Sequence, residues 1–113
     1  MIDKIRDFIQ RGRKGYANSD LWSFDNWLSR LIANGLREFK GNCYTYPGDG
    51  ISWEEWMAIL DEMIECFEEQ CRSLDNISGE DFLKKWGERR EHQRQKLHRG
   101  LELLERYYYD LWD

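Results

Sequence analysis

One proline, two histidines and three cysteines among 113 residues leave little from which to build the commoner catalytic and metal centres. Cys43, Cys66 and Cys71 are odd in number and contain no Cys-x-x-Cys pair, and Cys66 and Cys71 lie five apart on one expected helix, where their side chains diverge too far for a relaxed disulfide. Reduced thiols in a cytosolic setting follow. His92 and His98 stand six apart in a charged stretch, with no His-Glu-x-x-His and no neighbouring cysteine, so neither a zinc site nor a nucleophile–imidazole pair is expected. Gly12 and Gly15 form no Walker or dinucleotide fingerprint. No apolar run approaches the roughly 18 residues of a membrane span. A signal peptide is not expected either, because Ile2, Ile5, Phe8 and Ile9 are interrupted by Asp3, Lys4, Arg6 and Asp7. Strand alternation and internal repeats are also missing. These absences predict a soluble protein with no catalytic residues, no metal site and no cofactor.

What the chain does have is aromatic bulk and charge. Aromatics make up 15% of it, with six tryptophans, and such side chains supply large burial from few positions, offsetting a mean hydropathy of -0.86. One domain spanning residues 1–113 is expected, large enough for a core without disulfides. The net charge of -5 conceals segregation: residues 1–14 carry +3, residues 54–83 carry -9 with Arg72 their one cation, and residues 84–99 carry +5. Such blocks create separate surface fields unless the helices bearing them fold together and cancel them.

Periodicity predicts helices throughout. Residues 2–11 read as a short amphipathic helix, broken at Arg11 to Gly15. Ser19 or Asp20 can cap the next helix, whose apolar positions Phe24, Trp27, Leu28, Leu31, Ile32, Leu36 and Phe39 recur at three and four residues and which should end near Gly41 and Asn42. Residues 42–51 form the clear loop. Ser52 with Glu55 then makes a capping box ahead of a buried stripe of Trp53, Trp56, Met57, Leu60, Ile64, Phe67 and Cys71, with Glu54, Asp61, Glu62, Glu65, Glu68 and Glu69 largely outside it. A break at Asp75–Gly79, with a weaker box of Ser78 and Asp81, precedes a long helix permitted over residues 79–112. Its centre, Gly87 to Lys96, has no apolar residue, so it must project, break, or line a polar surface shared with another element or chain. Gly100 would permit close backbone approach. The expected fold is all-α, a compact bundle of four or five helices with a long C-terminal helix.

Carboxylate pairs such as Asp61 with Glu65 and Glu65 with Glu69 share a helix face but lack the interleaved Glu-x-x-His of a di-metal site, and read as solvated. Binding remains. Arg11, Arg13 and Lys14 lie in a basic turn beside Tyr16, Asp20 and Trp22, close to a helix start whose free N–H groups favour anions. With Tyr46 from the loop, these seven residues form the expected ligand-binding set, the cations neutralising phosphate and Tyr16, Trp22 or Tyr46 covering a base. Arg89, Arg90, Arg94 and Arg99 offer a second group of guanidiniums. The acidic block Glu54 to Asp81 could instead imitate a nucleic-acid backbone and occupy a basic groove on another protein. Double-stranded nucleic acid is a poor partner for an acidic chain with no helix-turn-helix signature. The aromatic ending, Tyr107 to Trp112, spreads over several helix faces and fits self-association into a homo-oligomer.

The succession Arg13-Lys14-Gly15-Tyr16, Asp20-Leu21-Trp22, Phe24-Asp25, Trp27-Leu28, Tyr46-Pro47, Trp53-Glu54-Glu55-Trp56 and Met63, closed by Tyr108 and Leu111-Trp112-Asp113, resembles small proteins encoded by tailed bacteriophages. The similarity spans most of the chain, with residues 42–43 and 84–99 matching less clearly. It implies a compact helical protein acting in the cytoplasm of the infected bacterium, in counter-defence or host takeover by binding. Taken with the basic turn, the expected mechanism is stoichiometric sequestration of a phosphorylated, nucleotide-like signal. The alternatives are an inhibitor that binds a host or defence protein through its acidic helix or aromatic C-terminus, and a structural virion or packaging accessory.

Overall fold

A computed structural model describes residues 2–73 and 79–112 and shows an all-α protein. Four α-helices run α1 (Ile2–Lys14), α2 (Phe24–Gly41), α3 (Trp53–Glu69) and α4 (Phe82–Tyr107); 3-10 segments at Asn18–Ser23 and Tyr108–Asp110 adjoin α2 and α4. Among the described residues, no helix is long and apolar enough to cross a membrane.

The central element is α3, with α2 on one flank and α4 on the other, and α2 and α4 do not pack on each other. A helix flanked on two sides needs more apolar surface than one stripe provides. Met63 and Cys66 are therefore fully buried alongside Trp56, Leu60 and Phe67, although they lie off the single predicted stripe. Trp53, assigned to that stripe, sits on its outer edge at 36% exposed. The core joins Ala33 and Leu36 of α2 to Leu103 and Tyr107 of α4 across α3, and Trp56 meets the Tyr107 ring edge-on with centroids 5.6 Å apart. Gly100 is what lets α4 come close: a β carbon there would lie 2.9 Å from Cys66 Cβ and 3.2 Å from Phe67 Cε2.

The capping box of α3 forms as predicted, Glu55 N–H donating to Ser52 Oγ at 3.1 Å and Ser52 N–H to Glu55 Oε1 at 3.4 Å. Before it, the loop reverses through Gly48, Asp49 and Gly50, all at positive φ, a sequence of conformations for which two glycines are well suited. Other boundaries shift. The first helix runs on through Gly12 to Lys14 and stops at Gly15, whose φ of 85° no continuing helix accepts. Neither Ser19 nor Asp20 caps α2; Ser19 Oγ donates to Asp7, and Asp20 Oδ2 accepts from Ala17 N–H, closing the 3-10 segment instead. The long helix is continuous over Phe82–Tyr107 and begins at Asp81, which makes no side-chain cap bond. Ser78, its expected box partner, and most of the Asp75–Gly79 break lie outside the described residues. Cys43, Cys66 and Cys71 are free thiols, and burial pushes the Cys66 thiol up from its ordinary value.

The layer is spread out. Its radius of gyration is 17.2 Å and its extents 49 × 42 × 19 Å, whereas a compact domain of this length has a radius of about 13 Å. Much of the excess comes from α1, which buries no residue and touches the rest only through the 3-10 segment Asn18–Ser23.

Candidate functional site

The opposite charge blocks fold onto each other. Because α3 and α4 are antiparallel, ascending carboxylates meet descending cations: Glu62 Oε1 lies 2.6 Å from Arg99 Nε, and Glu65 Oε1 3.1 Å from Lys96 Nζ. Glu69 Oε1 lies 2.6 Å from Arg89 Nη2 and 3.8 Å from His92 Nε2. On the other flank Asp61 pairs with Lys40 at 2.7 Å, and Glu68 with Arg37. Hydrogen bonds to Glu65 and Glu62 raise the affinity of Lys96 and Arg99 for their protons. The exposed pairs contribute little stability each, being screened by water.

Glu69 differs, since it is 1% exposed. Its carboxylate bridges Arg72 at the end of α3 and Arg89 on α4. Beside it, the buried Gln93 amide donates to the carbonyls of Glu69 at 3.0 Å and Arg72 at 3.3 Å, and Gln70 Nε2 returns a bond to the Gln93 carbonyl at 2.7 Å. The apolar-free centre of α4 is thus a polar cap on the carbonyl end of α3, Gln93 adding a donor to the Glu69 carbonyl, which also accepts from the Arg72 N–H. This corrects the reading of Glu69 as a solvated residue: it is a buried anchor matched by two guanidiniums.

The predicted ligand-binding set divides. Arg11 forms a two-pronged bond with Asp20, Nε to Oδ2 at 3.1 Å and Nη2 to Oδ1 at 2.8 Å. The Arg11 bond, then the Ala17 N–H, hold the Asp20 carboxyl below its usual range, and Asp20 in turn raises the Arg11 pKa. These two residues therefore latch α1 to the 3-10 segment. Lys14 donates to Asn18 at 2.5 Å and stands 5.0 Å from the centre of the Tyr16 ring, which packs edge-on against Trp27. Arg13 is exposed and, among the described residues, in no ion pair. Trp22 is 90% exposed. Tyr46 is set apart from these, edge-on to Trp53 and bordering a separate depression with Pro47 and Trp112.

Two adjoining depressions make the most polar concavity. One, about 390 Å³, is lined by Ser23, Asp25, Asn26, Gln70, Arg72, Arg90 and Gln93. The other, about 330 Å³, is lined by Ser19, Asp20, Trp22, Ser23, Asn26, Trp27 and Arg30. Ser23 and Asn26 belong to both, so the pair forms one trough across the start of α2 and the end of α3. Arg90 lies over Trp86 at 5.2 Å and is in no ion pair among the described residues; Arg30 donates to Asn26 at 3.0 Å. Asp20 and Trp22 of the predicted set fall on this trough. Arg30, Arg72 and Arg90 do not appear in that set. Arg72 as the lone cation in an acidic stretch was the visible hint, but the approach of α4 to the end of α3 is a tertiary fact. Among the described residues no group of three His, Cys, Asp or Glu side chains is placed to hold a metal ion.

The geometry defines a class: an all-α protein whose three packed helices form one layer, with a fourth helix projecting from it. Compared with protein-family models, curated proteins and solved structures, the chain has no match in any of the three.

Proposed function

We propose that this is a phage-encoded protein that acts by stoichiometric binding in the cytoplasm of the infected host, sequestering a phosphorylated, nucleotide-like ligand on the polar trough. The observation that carries this reading is the Arg90 guanidinium, in no ion pair among the described residues, which lines one half of a concavity whose other half is bordered by Arg30 and the exposed Trp22 ring. Guanidinium forks suit phosphate oxygens and an exposed indole suits a base face. The trough replaces the basic turn as the phosphate site, because Arg11 is occupied by Asp20 and Lys14 by Asn18. No thiol or imidazole lines it, and its single carboxylates, Asp25 and Asp20, stand in different halves, so the reading is one of capture without turnover.

Thermal shift and calorimetry with a nucleoside triphosphate and a cyclic dinucleotide test this. Binding should stabilise the fold in proportion to the logarithm of ligand concentration, and Arg30→Ala with Arg90→Ala should abolish it while leaving the Glu69 pairings intact. Stabilisation that persists in that variant, or none with any phosphorylated compound, refutes the assignment.

A second reading, inhibition of a host or defence protein, is favoured at the aromatic C-terminus, where Tyr108, Tyr109 and Trp112 are 62, 86 and 68% exposed. The acidic helix is the weaker route to the same end, since Asp61, Glu62, Glu65, Glu68 and Glu69 all pair with cations of their own chain.

A further inference from the structure

The first helix is attached by the wrong face for a helix that completes its own domain. Asp7, Gln10, Arg11 and Lys14, spaced at three and four residues, lie on one side of α1, and each bonds to the turn that follows: Asp7 to Ser19, Gln10 to Asn18 N–H, Arg11 to Asp20, Lys14 to Asn18. At 100° per residue the apolar positions Ile2, Ile5, Phe8 and Ile9 fall on the opposite side. They are 81, 55, 77 and 51% exposed. While the polar latch holds, these side chains cannot turn inward onto their own layer.

The layer has a matching vacancy. Since α2 and α4 both pack on α3 and not on each other, a groove of about 340 Å³ runs between them, with Leu28 and Ile32 on one wall, Leu97 and Leu101 on the other and Phe67 at its floor. Beyond Leu101 a second apolar depression continues along α4 past Leu104 to Tyr108. The end of the groove at Asp25, Gln70 and Arg90 is polar; from Leu97 to Tyr108 the apolar wall along α4 is about 16 Å long, and α1 with its 13 residues is about 20 Å.

We propose that α1 of one copy lies in the α2–α4 groove of a second copy, and reciprocally, so that each three-helix layer becomes a four-helix bundle whose fourth helix comes from its partner. The occupant is a second copy because arm and groove are both unfilled on the same chain and match in length and apolar character, while the latch prevents closure at home. Burying four large side chains and the facing groove wall twice removes on the order of 1,500 Å² from water, within the roughly 1,200–2,000 Å² of stable specific interfaces. The exchange is isologous, as a two-fold dimer requires, and accounts for a radius of gyration well above that of a closed domain.

Sedimentation velocity and light scattering on the full chain at micromolar concentration provide the test. The wild type should run as a dimer. Ile5→Glu with Phe8→Glu should give a monomer whose helical circular dichroism is retained, because α1 buries nothing in its own chain. Leu101→Glu, on the groove wall and 48% exposed, should do the same. Mixing the arm variant with the groove variant should restore a dimer through the one intact arm and the one intact groove. A monomeric wild type overturns the proposal and leaves the arm to a different partner. A dimer that survives both sets of substitutions also overturns it and moves the contact elsewhere, the aromatic C-terminus first.

Discussion

Replacing glycine with alanine inside α2 and α4 should change stability in opposite directions at different positions. At Gly35 and Gly87 an added β carbon meets nothing within 4 Å. There only the helix preference counts, worth up to about 1 kcal/mol in favour of alanine. At Gly100 the same preference is opposed by contacts of 2.9 Å to Cys66 Cβ and 3.2 Å to the Phe67 ring. Neither neighbour is a flexible side-chain end, and both residues are buried to within 2% of completeness. Overpacking of this kind costs about 1–3 kcal/mol, so the net effect of Gly100→Ala should be a loss of about 1 kcal/mol. For a chain of this size that lowers Tm by roughly 4 °C, against a rise of similar size for Gly35→Ala. Urea unfolding followed by circular dichroism measures both. A double-mutant cycle locates the cause: Cys66→Gly, which removes the opposing β carbon, should couple favourably with Gly100→Ala, whereas Cys66→Ala, which keeps it, should not. Stabilisation by Gly100→Ala equal to that at Gly35 would refute the close α3–α4 crossing on which the layer depends.

Glu69→Ala should destabilise by about 1–3 kcal/mol in urea unfolding, because it empties a buried position and removes the carboxylate that ties the partly exposed Arg72 and Arg89 to α3; a loss under about 0.5 kcal/mol would mean that the carboxylate is solvated. Asp20 has a depressed folded-state pKa, so its contribution is present above the ordinary carboxylate pKa and is lost as pH falls through the lower folded value. Amide exchange of α1 should therefore accelerate at acidic pH before α3 does, and Asp20→Asn should show that faster exchange already at pH 7; equal protection of α1 in the variant would contradict the latch. Under native conditions a thiol reagent should modify the half-buried Cys71 well before Cys43 and Cys66, which are 7 and 0% exposed; simultaneous reaction of all three would show that the layer opens as a whole.

Helical identity was legible because its determinants are local. The Ser52–Glu55 box, the loop over residues 42–51 and the three-and-four spacing of apolar residues each rest on signals within one or two turns. The central position of α3 was not, since one stripe and two stripes differ only in Met63 and Cys66, which read equally well as edge residues until a second helix is placed against them. Gly100 announced a close approach without naming Cys66 and Phe67 as the neighbours. The polar centre of α4 left three options open, and the structure selects the shared polar surface: Gln93 and Arg89 look solvent-facing in sequence because their partners, the carbonyls at the end of α3 and the Glu69 carboxylate, lie twenty or more positions away. The basic turn misled for a related reason. Cations adjacent in sequence suggested one phosphate cradle, but Asp20 and Asn18 occupy two of them, and the guanidiniums around the trough come from three separate regions of the chain. Tyr46 stands apart because it follows the far end of α2, whose start borders the Trp22 trough.

Native mass spectrometry of protein purified from the cells that express it tests the proposed capture without turnover. The account predicts two chains carrying a phosphorus-containing small molecule that is released unchanged on denaturation and is missing from Arg30→Ala with Arg90→Ala. A bare chain that converts an added nucleotide into a product of different mass would contradict it.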